Sequence, residues 1–474
     1  MSTTSLSMAS GDSRLESLPA ELLRKILIHA SLPVTSSHTS TKDINSARDR
    51  VPCSLPCLLT SRVLYTATLP VMYRNVTITD CSTLHSMLAQ VRQNLQLGSF
   101  IRTLEVGTAI TSSQTLRTGG QNFLLDLLLL TPHLRQIRIQ PSMTMYLDHK
   151  TIHTIFCKLQ HLQTIEVQNC SFAAAFDTLS IYDDFKASKM TSRLNLDGCR
   201  DLRPEVFGFL LPQLAKLEEL HISQTQITNE ALFSIPSSAK LAALTISHCP
   251  QLSGDAIASF IQNHSAARSL KSLCIASGPN SASLSVENVT SILSSDLPAL
   301  QVLDLRHSGM NSQQMPLLRS LARQLTEMYV GAGLHLEDIE SLYLVPKIMS
   351  HQPALLSPER CQTFDSKHSV ILDPMAKAVA VCSLRKRLNV TTILPNEQQP
   401  RLRHLDITSL SMPEQEKLQT SILFGKQAQY LQSFTIGEAV GKNEILETLV
   451  KAVGWHITSG SKKCQMVRNY YIQE

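Results

Sequence analysis

Residues Leu217–Pro236 read LEELHISQTQITNEALFSIP, and Leu241–Ile261 read LAALTISHCPQLSGDAIASFI. Each opens with apolar residues spaced L-x-x-L-x-I, crosses a short polar turn, and continues with apolar residues at helical spacing. Within the opening, alternate residues fall on opposite faces of a strand, one apolar and one polar. The two openings lie 24 residues apart, and self-similarity at that period marks a solenoid. A unit this short cannot bury its own apolar face, so it must stack on neighbours.

Outward from this pair the phrase recurs at Leu134-Ile137-Ile139, Leu162-Ile165-Val167, Leu270-Leu273-Ile275, Leu300-Leu303-Leu305, Leu325-Met328-Val330, Leu402-Leu405-Ile407 and Leu431-Phe434-Ile436, with a partial copy at Leu194-Leu196. The series resembles the leucine-rich repeat family. Asn169-Cys170, Gly198-Cys199 and His248-Cys249, each just after a strand, look like its cysteine-containing subclass. The resemblance implies an α/β fold, a curved parallel sheet with outer helices. In such a solenoid the residues between the apolar positions line the concave face. The expected binding set for a target protein is Arg138, Glu166, Gln168, Asn195, Glu219, His221, Thr245, Asp304, Arg306, Tyr329 and Asp406. Polar and of mixed sign, it suits a protein partner better than a phosphate track. Any solvated strand face is polar, however, so the set marks a surface without naming what binds there.

The 474 residues, 43% of them hydrophobic, can build a large core. A net charge of +5 over this length is mild and predicts no nucleic-acid partner. The opening MSTTSLSMASGDSR lacks the basic and apolar segments of a secretory signal. The longest apolar run, FLLDLLLL at Phe123–Leu130, is too short to cross a bilayer, so no membrane partner is expected. Eleven scattered cysteines do not form a disulfide framework; a reduced protein of the cytoplasm and/or nucleus is expected.

Residues 1–14 read as disordered, 15–80 as a small helical domain, and 81–474 as the repeats, with an irregular insertion at 346–373. Pro19 suits the first position of a helix, and Leu15, Leu18, Leu22, Ile26 and Ala30 follow at helical steps with Leu23 and Leu27 beside them. After a polar stretch at Val34–Asp49, Leu58, Leu59, Val63, Leu64 and Leu69 give a second apolar face, followed by a strand at Val76–Ile78. From periodicity alone these helices could simply cap the solenoid. The phrases LPAELLRKIL and LPVMYRNVTI, with the helix between them, resemble a fungal-style F-box. That resemblance implies an all-α F-box binding a Skp-type adaptor, and through it a cullin scaffold, by Leu18, Pro19, Leu22, Leu23, Ile26, Leu27, Leu58 and Leu59. It implies a substrate-recognition subunit of a Skp–cullin–F-box ubiquitin ligase, with no catalytic step and no cofactor of its own. A repeat scaffold without a ligase link is the alternative. The sequence departs from the family in the Val34–Asp49 insertion and in lacking the second-half tryptophan, near which Tyr65 stands.

Candidate chemistry is sparse. No G-x-S-x-G, H-E-x-x-H or Walker sequence occurs. Gly331-Ala-Gly333 reads as a turn. Cys53, Cys57, Cys81 and His85 have zinc-ligand spacing, but each could equally be an ordinary core or solvent-facing residue. Arg385-Lys386-Arg387 reads as a solvated face. Val390–Ile393 could be the strand of one more, degenerate repeat. The stretch after Leu431 reads as a helix and a basic tail, with Trp455 covering the open end of the core.

Overall fold

A computed structural model of the chain describes residues 18–31, 61–107, 122–141, 147–172, 187–276, 284–331, 333–343 and 400–411, together with 415, 418, 421–424, 428, 430–441, 444–452, 454–459 and 463–468. Residues 1–14, Val34–Asp49, Cys53, Cys57, Leu58, Leu59, the basic triplet, the strand expected at Val390–Ile393 and the 346–373 insertion lie outside them. Two compact units divide the chain, Met1–Lys216 and Leu217–Glu474. The boundary falls within the repeat series, and the N-terminal helices share a unit with the first repeats.

The first unit begins with α1 (Ala20–Ser31) and α2 (Arg62–Met72). The Pro19 carbonyl accepts from the Leu22 and Leu23 amides at 2.9 and 3.1 Å, so Pro19 stands one residue before the helix rather than at its first position. Leu23 and Leu27 pack with Leu64 and Ala67, and Leu18 and Val71 close the cluster. Leu18 against Leu23 is a hydrophobic staple, which fixes how the chain enters the helix. Of the apolar residues at helical steps, Leu23 and Leu27 face inward with Leu18, while Leu22 and Ile26 stay outside the cluster. Parallel strands β1 (Asn75–Ile78), β2 (Thr103–Val106), β3 (Gln136–Ile139), β4 (Thr164–Val167) and β5 (Arg193–Asn195) then pair in order, with Val76, Leu104, Ile137, Ile165 and Leu194 in register. Helices α3 (Cys81–Gln93), α4 (Leu95–Phe100), α5 (Phe123–Leu129), α6 (His149–His153) and α7 (Pro204–Leu210) alternate with them.

The second unit continues the scheme with β6 (Glu219–His221), β7 (Ala243–Thr245), β8 (Ser272–Cys274), β9 (Val302–Asp304), β10 (Glu327–Tyr329), β11 (His404–Asp406) and β12 (Ser433–Gly437). Leu220, Leu244, Leu273, Leu303, Met328, Leu405 and Phe434 align across them. Its helices are α8 (Asn229–Phe233), α9 (Gly254–Asn263), α10 (Val286–Leu293), α11 (Met315–Leu321), α12 (Leu336–Ser341), α13 (Glu438–Gly441) and α14 (Glu444–Ala452). Every apolar residue of the L-x-x-L-x-L phrases is at most 2% exposed. Each such side chain contributes about 1.5–3 kcal/mol by leaving water. Strand β10 pairs directly with β11, although residues 330–403 lie between them in the chain.

The turn after the strand has its own chemistry. Asn169, Gly198, Gln224, His248 and His307 take φ of 52, 76, 56, 57 and 58°, a left-handed bend that frees the next small side chain to point inward. There the Cys199 thiol donates to the Val167 carbonyl at 3.0 Å and the Cys249 thiol to Ile222 at 3.1 Å. The Thr225 hydroxyl donates to Ile222 and the Ser308 hydroxyl to Leu305, each at 2.7 Å. The cysteines are one solution to a general need, a small donor for buried strand-end carbonyls.

After β12 the expected basic tail is instead a hairpin, β13 (Trp455–Ser459) and β14 (Lys463–Arg468), with β14 antiparallel to β12. Trp455 packs on Phe424 and Phe434, ring centroids 5.7 and 5.2 Å away, with Arg468 over its ring at 4.9 Å. It closes the end of the apolar core, as a terminal cap must.

Candidate functional site

Two surfaces arise from this framework, one in each unit. On the N-terminal helix pair, burial of Leu23 and Leu27 turns Leu22 and Ile26, one helical turn apart, to solvent. Leu22, Ile26, Val63 and Tyr65 are 46, 46, 44 and 45% exposed. Of the residues expected to bind an adaptor, Leu22 and Ile26 lie open, Pro19 is exposed, and Leu18, Leu23 and Leu27 form the helix pair's own core. Leu23 and Leu27 are thereby removed from the surface available to a partner.

The strand face away from the apolar positions carries the second surface. In the first unit Arg138 on β3 donates to Glu166 on β4 at 2.6 Å and lies 3.8 Å from Glu105 on β2. These acids raise its pKa, hydrogen bonding to Glu166 being the largest cause. Asn195 accepts from the Asp197 amide at 3.0 Å, so its side chain braces the strand end. Gln168 lies exposed just after β4.

In the second unit the expected residues converge. Glu219 and His221 flank Leu220 on β6, and the His221 ring meets the Thr245 hydroxyl of β7 at 2.9 Å. Further along, β9 and β11 bring Asp304 and Asp406 to equivalent positions, one on each side of Tyr329. Arg306 forks onto Asp304, its Nη2 2.6 Å from Oδ2 and its Nε 3.0 Å from Oδ1. The same guanidinium crosses the Tyr329 ring, 5.0 Å from its centroid, to reach Asp406 at 3.5 Å. Lys463 of β14 donates to Asp406 at 3.1 Å. Thr408 donates to Asp406 from its amide at 2.9 Å and from its hydroxyl at 2.6 Å. Two buried carboxylates thus face two cations.

The surroundings tune the cluster. Asp304 most strongly raises the Arg306 pKa through its hydrogen bond. Burial first, and Glu327 next, push the Tyr329 hydroxyl up to about 12. Burial lowers the pKa of His404, whose ring meets Ser433 at 2.7 Å and Thr435 at 3.2 Å. On β8 the Cys274 thiol lies 3.3 Å from Asp304 and is pushed up to about 12, chiefly by burial, so it is protonated and a poor nucleophile. Among the described groups the arrangement holds charge and aromatic surface rigidly. It provides no activated nucleophile.

Sequence reasoning found Asp304, Arg306, Tyr329 and Asp406 from strand alternation. It missed Cys274, on the same face, and Lys463, hidden in the supposed tail. The alternation of buried Cys464 and Met466 with exposed Lys463 and Gln465 was the available signal. Of the zinc-spaced residues, Cys81 opens α3 and His85 packs edge-on against Phe123 at 4.0 Å. Gly333 forms an isolated parallel bridge to Asn311. No helix among the described residues is long and apolar enough to cross a membrane.

No family model matches the chain, and no curated protein matches it. Among solved structures, the crystal structure of the Rad7 and Elc1 complex in yeast is similar at 14% identity, covering 83% of this chain and 90% of that one, with a TM-score of 0.34. That degree of superposition adds nothing to the fold read from the strand registers above.

Proposed function

We propose that this protein is the substrate-recognition subunit of a Skp–cullin–F-box type ubiquitin ligase. Its N-terminal helix pair binds a Skp-type adaptor, and through it a cullin, while the polar strand face holds a target protein. The observation that carries this reading is the pair Leu22 and Ile26, each 46% exposed beside an inner core already complete without them. Neighbouring apolar side chains left open on a helix mark an interaction surface, and they fall within the phrase that resembles an F-box. The chain performs no covalent step in this role; it accelerates transfer by holding the target near the enzyme that modifies it. The proposed setting is the cytoplasm and/or nucleus.

The test is copurification of the full chain with a Skp-type adaptor. Leu22→Glu/Ile26→Glu should abolish capture while leaving the melting temperature unchanged. Leu18→Ala would be less informative, because Leu18 packs in the core of the helix pair. Capture of the double-Glu variant at the level of the unaltered protein would refute the assignment. Failure of the unaltered chain to bind would favour the repeat scaffold.

A further inference from the structure

In the first unit a cavity of about 420 Å³ is lined by Arg24, Arg74, Arg102, His133 and Arg135, with Phe100 among its apolar walls. That volume is within the range of small-molecule sites. No carboxylate lines it, and among the described residues none of the four arginines forms an ion pair. Arg138 provides the contrast on the open strand face, where Glu166 and Glu105 balance it.

The repeat geometry creates this concentration of charge. Arg74, Arg102 and Arg135 stand immediately before β1, β2 and β3, the same position in three successive units. The Arg74 carbonyl accepts from the Arg102 and Thr103 amides at 2.9 and 3.0 Å. The Arg102 carbonyl accepts in turn from Arg135 and Gln136 at 2.8 and 3.0 Å. Adjacent strands lie about 4.8 Å apart, so the three guanidiniums leave the sheet edge side by side. The row ends at neutral Gln163, whose amide donates to the Arg135 carbonyl at 2.7 Å. Arg102 is pinned by its Nη1, which donates to the Ser99 carbonyl at 2.6 Å and to Ile101 at 3.1 Å. Its pKa is lowered by burial, then by Arg135 and Arg74. Helix α1 supplies Arg24 from across the cavity.

We propose that this cavity binds a small molecule bearing two or more adjacent phosphate groups. Guanidinium forks match phosphate oxygens two at a time, and a singly charged anion would leave most of the uncompensated positive charge in place. Arg24 and Ile28 lie on roughly the opposite side of α1 from Leu22 and Ile26, since successive residues turn by about 100°. Ligand binding is therefore separable from capture of an adaptor.

The experiment is calorimetric titration of the full chain with inorganic tripolyphosphate. Saturable binding is expected, weakened roughly tenfold or more by Arg74→Ala/Arg135→Ala, because each lost charge-assisted contact is of that order. Both side chains are exposed, so the melting temperature should hold. Arg102→Ala should weaken binding similarly, though it also removes the bond to Ser99, so the double variant is decisive. Arg138→Ala should leave binding unchanged. Absence of saturable binding, or equal affinity in the double variant, would overturn the proposal. So would capture by phosphoinositide-containing vesicles or by single-stranded RNA without any binding of tripolyphosphate.

Discussion

Arg306→Ala offers a sharp test of how the second unit is held together. Its side chain is 26% exposed, while those of its partners Asp304 and Asp406 are 5% and 3% exposed. Removing one member of a buried pair costs about 3–5 kcal/mol, because the remaining charge is left desolvated and uncompensated. Asp406 would keep Lys463 and the two donors of Thr408. Asp304 would keep the amide of residue 306, 3.1 Å away, and the Cys274 thiol, but no cation. The loss should therefore lie near the lower end, about 3 kcal/mol. The single tryptophan, Trp455, is buried in this unit, so its fluorescence reports urea unfolding there. With a slope of about 3 kcal/mol per molar urea, the midpoint should fall by about 1 M. Adding Asp304→Asn should restore most of the loss, since the buried charge then disappears with its partner. Arg138→Ala, whose side chain is 54% exposed, should cost less than Arg306→Ala by its own unit's unfolding, although its partner Glu166 is only 12% exposed. A midpoint change below about 0.3 M for Arg306→Ala, or no recovery with Asp304→Asn, would refute the reasoning.

Two glycines of the first unit should respond oppositely to one added methyl. A Cβ at Gly98 would collide with the Leu130 carbonyl oxygen and meet Val91 at 3.0 Å, so Gly98→Ala should cost about 1–3 kcal/mol. Gly208 in α7 has nothing within 4 Å of that position, so Gly208→Ala should stabilise by about 0.5–1 kcal/mol. Thermal melts by circular dichroism measure both, and changes of the same sign would contradict the packing described. His404 predicts a pH response: burial lowers its pKa below 6.5, against the opposing pull of Asp406 and Glu327, with Lys463 adding to the lowering. The unfolded chain then takes up a proton before the folded one does, so this contribution is fully present above pH 6.5 and is lost as pH falls through the folded value. His404→Gln should flatten the dependence of the Trp455 unfolding midpoint on pH below 6.5. Some slope should persist, because burial also lowers the pKa of His264; identical slopes in both proteins would remove His404 from the account.

The repeat strands were legible because their apolar positions are dictated by the period of a strand, whatever the neighbours contribute. Every Leu-x-x-Leu-x-Leu residue accordingly lies in the core. Helix α1 was harder, because it has two apolar stripes at the same spacing, Leu22-Ile26 and Leu23-Leu27. Periodicity is identical for both, and only packing against Leu64 and Ala67 of α2 determines which is buried. The cysteine positions were visible, but their equivalence with Thr225 and Ser308 was not. Apolar pattern does not reveal a shared left-handed turn that delivers a small donor to a strand-end carbonyl. The charge cluster lay still further from view. Strand alternation placed Asp304, Arg306 and Asp406 on one face, yet Arg306 and Asp406 are separated by 100 residues and Lys463 and Asp406 by 57. Their meeting depends on β10 pairing directly with β11 and on the final strand folding back antiparallel onto β12. Those pairings bring a lysine from the supposed tail to a buried carboxylate. Replacing it by alanine would leave Arg306 as the cation shared by both acids, so the closing hairpin supplies part of the charge balance of the polar face.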